Sequence, residues 1–246
     1  MYKKISDYGI IGNLHSIALV GLDGSIDWLC LPHIDSPSVF GALLDDGKGG
    51  YCSVSPVDEW DSTSEYRPGT NILMTMFRTR TGIMRITDFM PVCSCGIEVL
   101  EKQNHELYRF VEVLKGRVNA RLVFEPRFNY ARAETVLEGH DLGVIAKGNG
   151  ESLVLSSGHK LNISENRAEA EWQMSEGESK WLHLAYEEEK PAGPDKEKAE
   201  RSLLRTFRRY RSRGHNFPAR RGRRGKELGL PVYMGEGRLF YTAGAF

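Results

Sequence analysis

The sequence predicts an all-β fold: an antiparallel β-sandwich (super-sandwich), followed by a short helix and an irregular basic tail. Three observations predict it. Short apolar runs at close spacing fill the first 190 residues. Turn dipeptides rich in Gly and Asp separate them, as the short strands of sandwiches and barrels require. A charge boundary then sets off the end of the chain. Residues 1–200 carry 21 Lys+Arg and 31 Asp+Glu, whereas residues 201–246 carry 12 and 2. The net charge of zero is therefore a cancellation between differently built segments.

Each element has its own signal. His15 to Val20 and Ile26 to Leu31 flank Asp23-Gly24, a pair that tolerates positive φ and so favours a hairpin. Ile72 to Arg78 and Ile83 to Phe89 flank Thr79-Arg80-Thr81-Gly82, a second hairpin. Leu107 to Leu114 and Val118 to Glu125 flank Lys115-Gly116-Arg117, read as a third. Val118, Ala120, Leu122 and Phe124 alternate with more polar neighbours, the period of a strand with one buried face. Leu142–Lys147, Leu153–Ser157, Leu161–Ser164, Ala168–Met174 and Lys180–Tyr186 continue the pattern. A sandwich fits this length because two sheets bury both inner faces. Trp28, with Ile26 and Cys30 at the same period, is expected in the core.

At Lys190-Pro191-Ala192-Gly193-Pro194 the character changes, since neither Pro nor Gly continues a strand or helix. The domain boundary is placed there: 1–190 as the β domain and 191–246 as a linker helix with an Arg/Gly-rich tail. Asp195 to Tyr210 reads as a helix with Leu203, Leu204, Phe207 and Tyr210 on one face. That face is expected to fold back onto the sandwich, because a tethered helix has a high effective concentration there. From Arg211 to Lys226 the composition predicts little regular structure.

Several chemistries are excluded. No apolar run approaches the roughly 20 residues of a membrane helix, so no membrane partner is expected. The lysines at the start have no apolar stretch behind them, which predicts a cytoplasmic protein. The four cysteines are read as free thiols, and Cys93-Ser94-Cys95 lacks a second ligand pair at zinc spacing, so no metal is assigned. Gly47-Lys48-Gly49-Gly50 lacks the spacing of a phosphate loop, and no cofactor is assigned. The seven histidines show no triad context.

The run Asp7-Tyr8-Gly9-Ile10-Ile11-Gly12-Asn13 leads to Asp23-Gly24-Ser25-Ile26-Asp27-Trp28-Leu29-Cys30-Leu31-Pro32 and His33-Ile34-Asp35-Ser36-Pro37. Tyr66-Arg67-Pro68-Gly69-Thr70-Asn71, Ile86-Thr87-Asp88-Phe89-Met90-Pro91 and Phe124-Glu125-Pro126-Arg127-Phe128-Asn129-Tyr130-Ala131-Arg132 follow in order. Together they resemble the N-terminal, trehalase-like domain of glycoside hydrolase family 15, the bacterial and archaeal glucoamylases and trehalases. The resemblance covers residues 1 to about 190.

It implies a β-sandwich in front of a catalytic (α/α)6 barrel whose two glutamates hydrolyse α-glucosidic bonds with inversion. Twelve helices of about 11 residues each need on the order of 130 residues, and only 191–246 remain. The catalytic barrel is absent, no catalytic residue is assigned, and an α-glucan or trehalose is a partner only of the intact enzyme. The tail departs from the family in its sudden Arg/Gly bias, which suggests a frameshifted or truncated product. Of the motif residues, Asp23, Gly24, Asp27, Trp28, Pro32 and Asp35 are read as structural: Asp23 in a turn, Asp27 and Asp35 bonding to local backbone. Arg127, Phe128, Tyr130 and Arg132 mix aromatic and guanidinium groups at a strand end, which suits a barrel interface first, plain packing second and sugar contact last. The rival reading is a non-enzymatic interaction module whose basic tail binds nucleic acid or an acidic protein. Nucleic acid is not the favoured partner, because no aromatic residues interleave the arginines.

Overall fold

A computed structural model describes residues 2–92, 105–193 and 195–212, with 234–235 and 238–239. Two units divide the chain, Met1–Asn216 and Phe217–Phe246. In the second, Met234–Gly235 pairs antiparallel with Arg238–Leu239. The Arg/Gly run and Cys93-Ser94-Cys95 lie outside the described residues.

Among the described residues the first unit holds fifteen strands. They are β1 (Tyr8–Gly12), β2 (Ile17–Gly21), β3 (Ser25–Cys30), β4 (Ser38–Phe40), β5 (Tyr51–Pro56), β6 (Trp60–Tyr66), β7 (Leu73–Thr79) and β8 (Gly82–Phe89). The remainder are β9 (Glu106–Glu125), β10 (Val136–His140), β11 (Gly143–Gly148), β12 (Glu151–Ser156), β13 (Asn162–Ser164), β14 (Arg167–Ser175) and β15 (Ser179–Tyr186). A single turn, α1 (Phe128–Ala131), and a helix, α2 (Lys196–Ser212), complete it. Every strand pair is antiparallel, so the all-β antiparallel reading holds.

One sheet runs β1-β2-β3-β5-β9-β14-β13 with β4 on β3; the other runs β6-β7-β8-β9-β15-β12-β11-β10. The strand common to both is β9. Its first half pairs with β8 and β15, and its second half with β5 and β14. The third hairpin expected from Lys115-Gly116-Arg117 is thus not a hairpin. The chain stays extended through Gly116, which takes φ 70°. A Cβ at that position would come within 2.2 Å of the Thr81 carbonyl oxygen. Glycine lets β9 pass against the β7–β8 turn as it moves from one sheet to the other.

The core lies between the sheets. Ile26, Leu29, Phe40 and Phe124 of one face Phe77, Ile86, Val111 and Leu184 of the other in one cluster of buried side chains. Arg109 crosses this core and is 0% exposed. Its guanidinium holds Asp88 at 2.8 Å and donates to the carbonyls of Cys52 and Gly24 on the facing sheet. Burial works to lower the Arg109 pKa, but Asp88 beside it outweighs that and holds it above the usual value.

Helix α2 starts where the Asp195 carboxylate accepts the Lys198 backbone N–H at 2.9 Å, an N-cap. Ala199 and Leu203 pack with Ile72, Phe89, Tyr108 and Trp181 in a second buried cluster. Thr206 donates no bulk but its hydroxyl accepts the Val92 backbone N–H at 3.2 Å, and Tyr210 donates to the Gly12 carbonyl. Leu204, expected on this face, is half-buried, one position off the contact line of Ala199, Leu203 and Thr206.

Candidate functional site

The first motif folds as a hairpin around Gly24, which takes φ 76° and donates its N–H to the Gly21 carbonyl. A Cβ there would reach 2.1 Å from the Val54 carbonyl oxygen, so only glycine lets β5 approach. The pairing of β2 with β3 then skips a residue: Leu19 faces Trp28, but Val20 faces Ile26, leaving Asp27 as the extra residue of a bulge. The bulge breaks the alternation that placed Trp28 with Ile26. Ile26 is fully buried, whereas Trp28 is half-buried against the Tyr130 ring at 6.3 Å. The expectation of a core tryptophan is corrected accordingly, and the loss from emptying a fully buried aromatic site does not apply to it.

Asp27 is buried, yet it is held by side chains rather than by local backbone. Lys3 Nζ lies 2.6 Å from its carboxylate, the Tyr8 hydroxyl donates at 2.7 Å, and Ser25 donates to the other oxygen at 2.7 Å. Asp23 accepts from Ser25 at 2.9 Å and pairs with the same Lys3 ammonium at 2.6 Å. Lys3 also hydrogen-bonds the Ser25 hydroxyl. These groups line one end of an open cavity of about 340 Å³, whose other walls include Tyr2, Tyr51, Ser53, Ser55 and Trp60. Burial pushes the Asp23 pKa up, but the bond and charge of Lys3 outweigh it and hold the carboxyl below its ordinary range. Burial and Asp27 push the Tyr8 hydroxyl far above its usual value. A general acid of glycoside hydrolysis needs a carboxyl pushed the other way. This arrangement is suited to hydrogen bonding and not to proton delivery.

Pro32 follows a cis Leu31–Pro32 bond and is half-buried. Asp35 is exposed on the loop between β3 and β4 and makes no hydrogen bond among the described residues, unlike the local backbone contact expected of it.

The Arg127–Arg132 segment folds into a left-handed turn. Asn129 takes φ 52° and ψ 52°, Tyr130 φ 57° and ψ 40°, and Ala131 φ 61°. Left-handed backbone costs an L-residue roughly 1–2 kcal/mol, and three in succession need strong anchors. They are present on the N-terminal side. Arg127 donates its N–H to the Val39 carbonyl, and its guanidinium pairs with Glu125 at 2.7 Å. Phe128 is fully buried in the main core. Tyr130 is left 39% exposed with Trp28 against it and the Arg132 guanidinium 5.8 Å from its ring centre. Of the four residues, two are therefore anchors and two face outward. Ala131→Gly should raise stability by about 1 kcal/mol, because glycine removes the left-handed strain and Ala131 contributes little packing. A urea midpoint equal to or below that of the parent chain would contradict the strain.

Two features carried no sequence signal. Lys3, one of two adjacent lysines near the start, reaches Asp27 only through the fold. Glu106, at the start of β9, is buried with Lys198 of α2 at 2.9 Å, His183 at 3.5 Å and the Tyr108 hydroxyl at 3.0 Å. Burial alone would raise its pKa, but His183 and Lys198 outweigh that and bring it down to about 2 from 4.5. Its stabilisation is complete above pH 4.5 and is lost as pH falls towards 2. Glu106→Gln should flatten the acid limb of a melting-temperature profile over that window. An unchanged limb would show that other carboxylates govern acid unfolding.

Cys30 and Cys52 are free and buried, and burial pushes both thiols to about 11, which makes them inert. Among the described residues no group of three or more His, Cys, Asp or Glu could hold a metal, and no helix is long and apolar enough to cross a membrane.

Comparison with known proteins places these features in a family. The family model described as trehalase-like, N-terminal, matches residues 2–204. The chain is 35% identical over 189 residues to a trehalase of Thermoplasma volcanium, covering 75% of this chain and 30% of that protein. It is 34% identical over 171 residues to a trehalase of Thermoplasma acidophilum, covering 68% and 29%. To a trehalase of Mycobacterium tuberculosis it is 28% identical over 239 residues, covering 88% and 35%. The chain thus spans about 30% of the length of the Thermoplasma relatives, and it belongs to the trehalase-like N-terminal domain family.

Proposed function

We propose that this chain is the non-catalytic β domain of a trehalase-type hydrolase of glycoside hydrolase family 15. In the intact enzyme it supports a catalytic part that hydrolyses trehalose, and it carries no hydrolytic centre of its own. The observation that carries this reading is the match to trehalases confined to about 30% of their length. The acidic cavity supports it, since its two acids are both paired with Lys3. The outward residues of the left-handed turn, Tyr130 and Arg132 with Trp28, form the contact with the catalytic part. Strain of this kind persists where surrounding structure over-determines it, and it concentrates at functional contacts. Trehalose is favoured over α-glucans as substrate because the similar proteins are trehalases. The protein acts in the cytoplasm on this reading.

The test has two arms. The purified chain, given trehalose, maltose or starch, should release no glucose; release would overturn the non-catalytic reading. The chain should also bind the catalytic part of the Thermoplasma volcanium trehalase produced separately, and Tyr130→Ala with Arg132→Ala should weaken that binding at least about tenfold. Equal binding by the double variant would remove the turn from the interface.

A further inference from the structure

We propose that the open cavity between Tyr51 and Trp60, whose lining includes no residue of the left-handed turn, is a binding site for a neutral pyranose sugar. The inference rests on the cavity itself and goes beyond the role proposed above. Its volume of about 340 Å³ falls at the lower end of small-molecule sites, roughly 300–1,000 Å³. Its walls combine the two chemistries a sugar ring presents. Tyr2, Tyr8, Tyr51 and Trp60 offer aromatic surface for the apolar C–H face. Asp23, whose side chain is 36% exposed against 5% for Asp27, offers a carboxylate oxygen as acceptor for hydroxyl groups.

The polar lining falls into two sets. The Lys3, Tyr8, Ser25, Asp23 and Asp27 network is bonded within itself and so holds its acceptors in fixed positions. The hydroxyls of Tyr51, Ser53 and Ser55 and the Trp60 indole N–H line the same cavity and make no hydrogen bond among the described residues. The pleat explains why they gather there. Tyr51, Ser53 and Ser55 alternate with Cys52 and Val54, whose side chains are fully buried in the core, so the three polar groups share the outer face of β5.

Charge selects among ligands. Asp23, Asp27 and Asp46 line the cavity against one cation, Lys3, which disfavours phosphorylated sugars and other anions. An incoming ammonium finds its natural position between Asp23 and Asp27 already filled by Lys3 Nζ, 2.6 Å from each. A neutral polyol with one apolar ring face is the class that remains.

Calorimetric titration of the full chain with methyl α-glucoside, trehalose and glucose phosphate tests the site. The expected result is millimolar binding of the two neutral glucosides, with glucose phosphate at least about tenfold weaker. Ser53→Phe fills the cavity from the outer face and should abolish binding without touching the core. Tyr51→Ala should weaken it about tenfold, and Tyr130→Ala should bind like the parent chain. Absence of heat with both glucosides, equal binding by Ser53→Phe, or equal binding of glucose phosphate would overturn the proposal. Glucose release and binding of the catalytic part are read separately, so either proposal can fail alone.

Discussion

Arg109→Ala is expected to cost about 3–5 kcal/mol, enough to unfold much of the protein at ambient temperature. Arg109 and Asp88 are both 0% exposed, and they face each other across β8 and β9 at 2.8 Å. Removing the guanidinium leaves a carboxylate buried without its counter-charge and takes one donor each from the Cys52 and Gly24 carbonyls. The second loss matters because those carbonyls belong to the opposite sheet, so Arg109 also fixes the spacing between layers. Urea unfolding of Arg109→Ala, Asp88→Ala and the double variant would measure this. The double variant should recover part of the loss, since it removes the uncompensated charge. A single-variant loss below about 1 kcal/mol would show that water reaches the site.

Leu203→Asp should destabilise the protein by at least about 3 kcal/mol and release α2 from the sandwich. The new carboxylate would be placed among Phe89, Tyr108 and Trp181, and burial there disfavours its charge. Released α2 would uncover these aromatic rings and increase binding of an apolar dye. If residues 1–190 form a folding unit by themselves, β-type circular dichroism persists while Lys198 no longer screens Glu106. Loss of all β signal on Leu203→Asp would instead make α2 part of the folding unit and move the boundary beyond it. An unchanged urea midpoint and unchanged dye binding would remove α2 from the packed structure.

Strand periodicity was legible in several strands with one face in the core, though not in β5, where Cys52 and Val54 alternate with Tyr51, Ser53 and Ser55. Ala168, Ala170, Trp172 and Met174 alternate with Glu169, Glu171 and Gln173, and β14 forms there in continuous register with β9. The Gly24 turn was legible because local backbone demands fix it. By contrast, β6 gave no signal: Trp60–Tyr66 is mostly polar and exposed, and it is a strand because β7 supplies a partner along its whole length. Edge strands of this kind are specified by their neighbour and not by their own pattern.

By itself the sequence determined the all-β class, the family, the Asp23-Gly24 hairpin and the helix α2, because these depend on neighbours within a few residues or on a motif read as a whole. The tertiary structure alone decided three things. It kept β9 extended through Gly116, because pairing partners lie on both sides of both halves. It turned Trp28 out of the core, because the bulge at Asp27 shifts the pleat by one residue. It brought Lys3, Tyr8, Asp23 and Asp27 around one cavity, with Trp60 from a distant strand as another wall. Each of these is a contact between segments far apart in the chain, where the competition between pairing, burial and charge is settled only once both segments are in place.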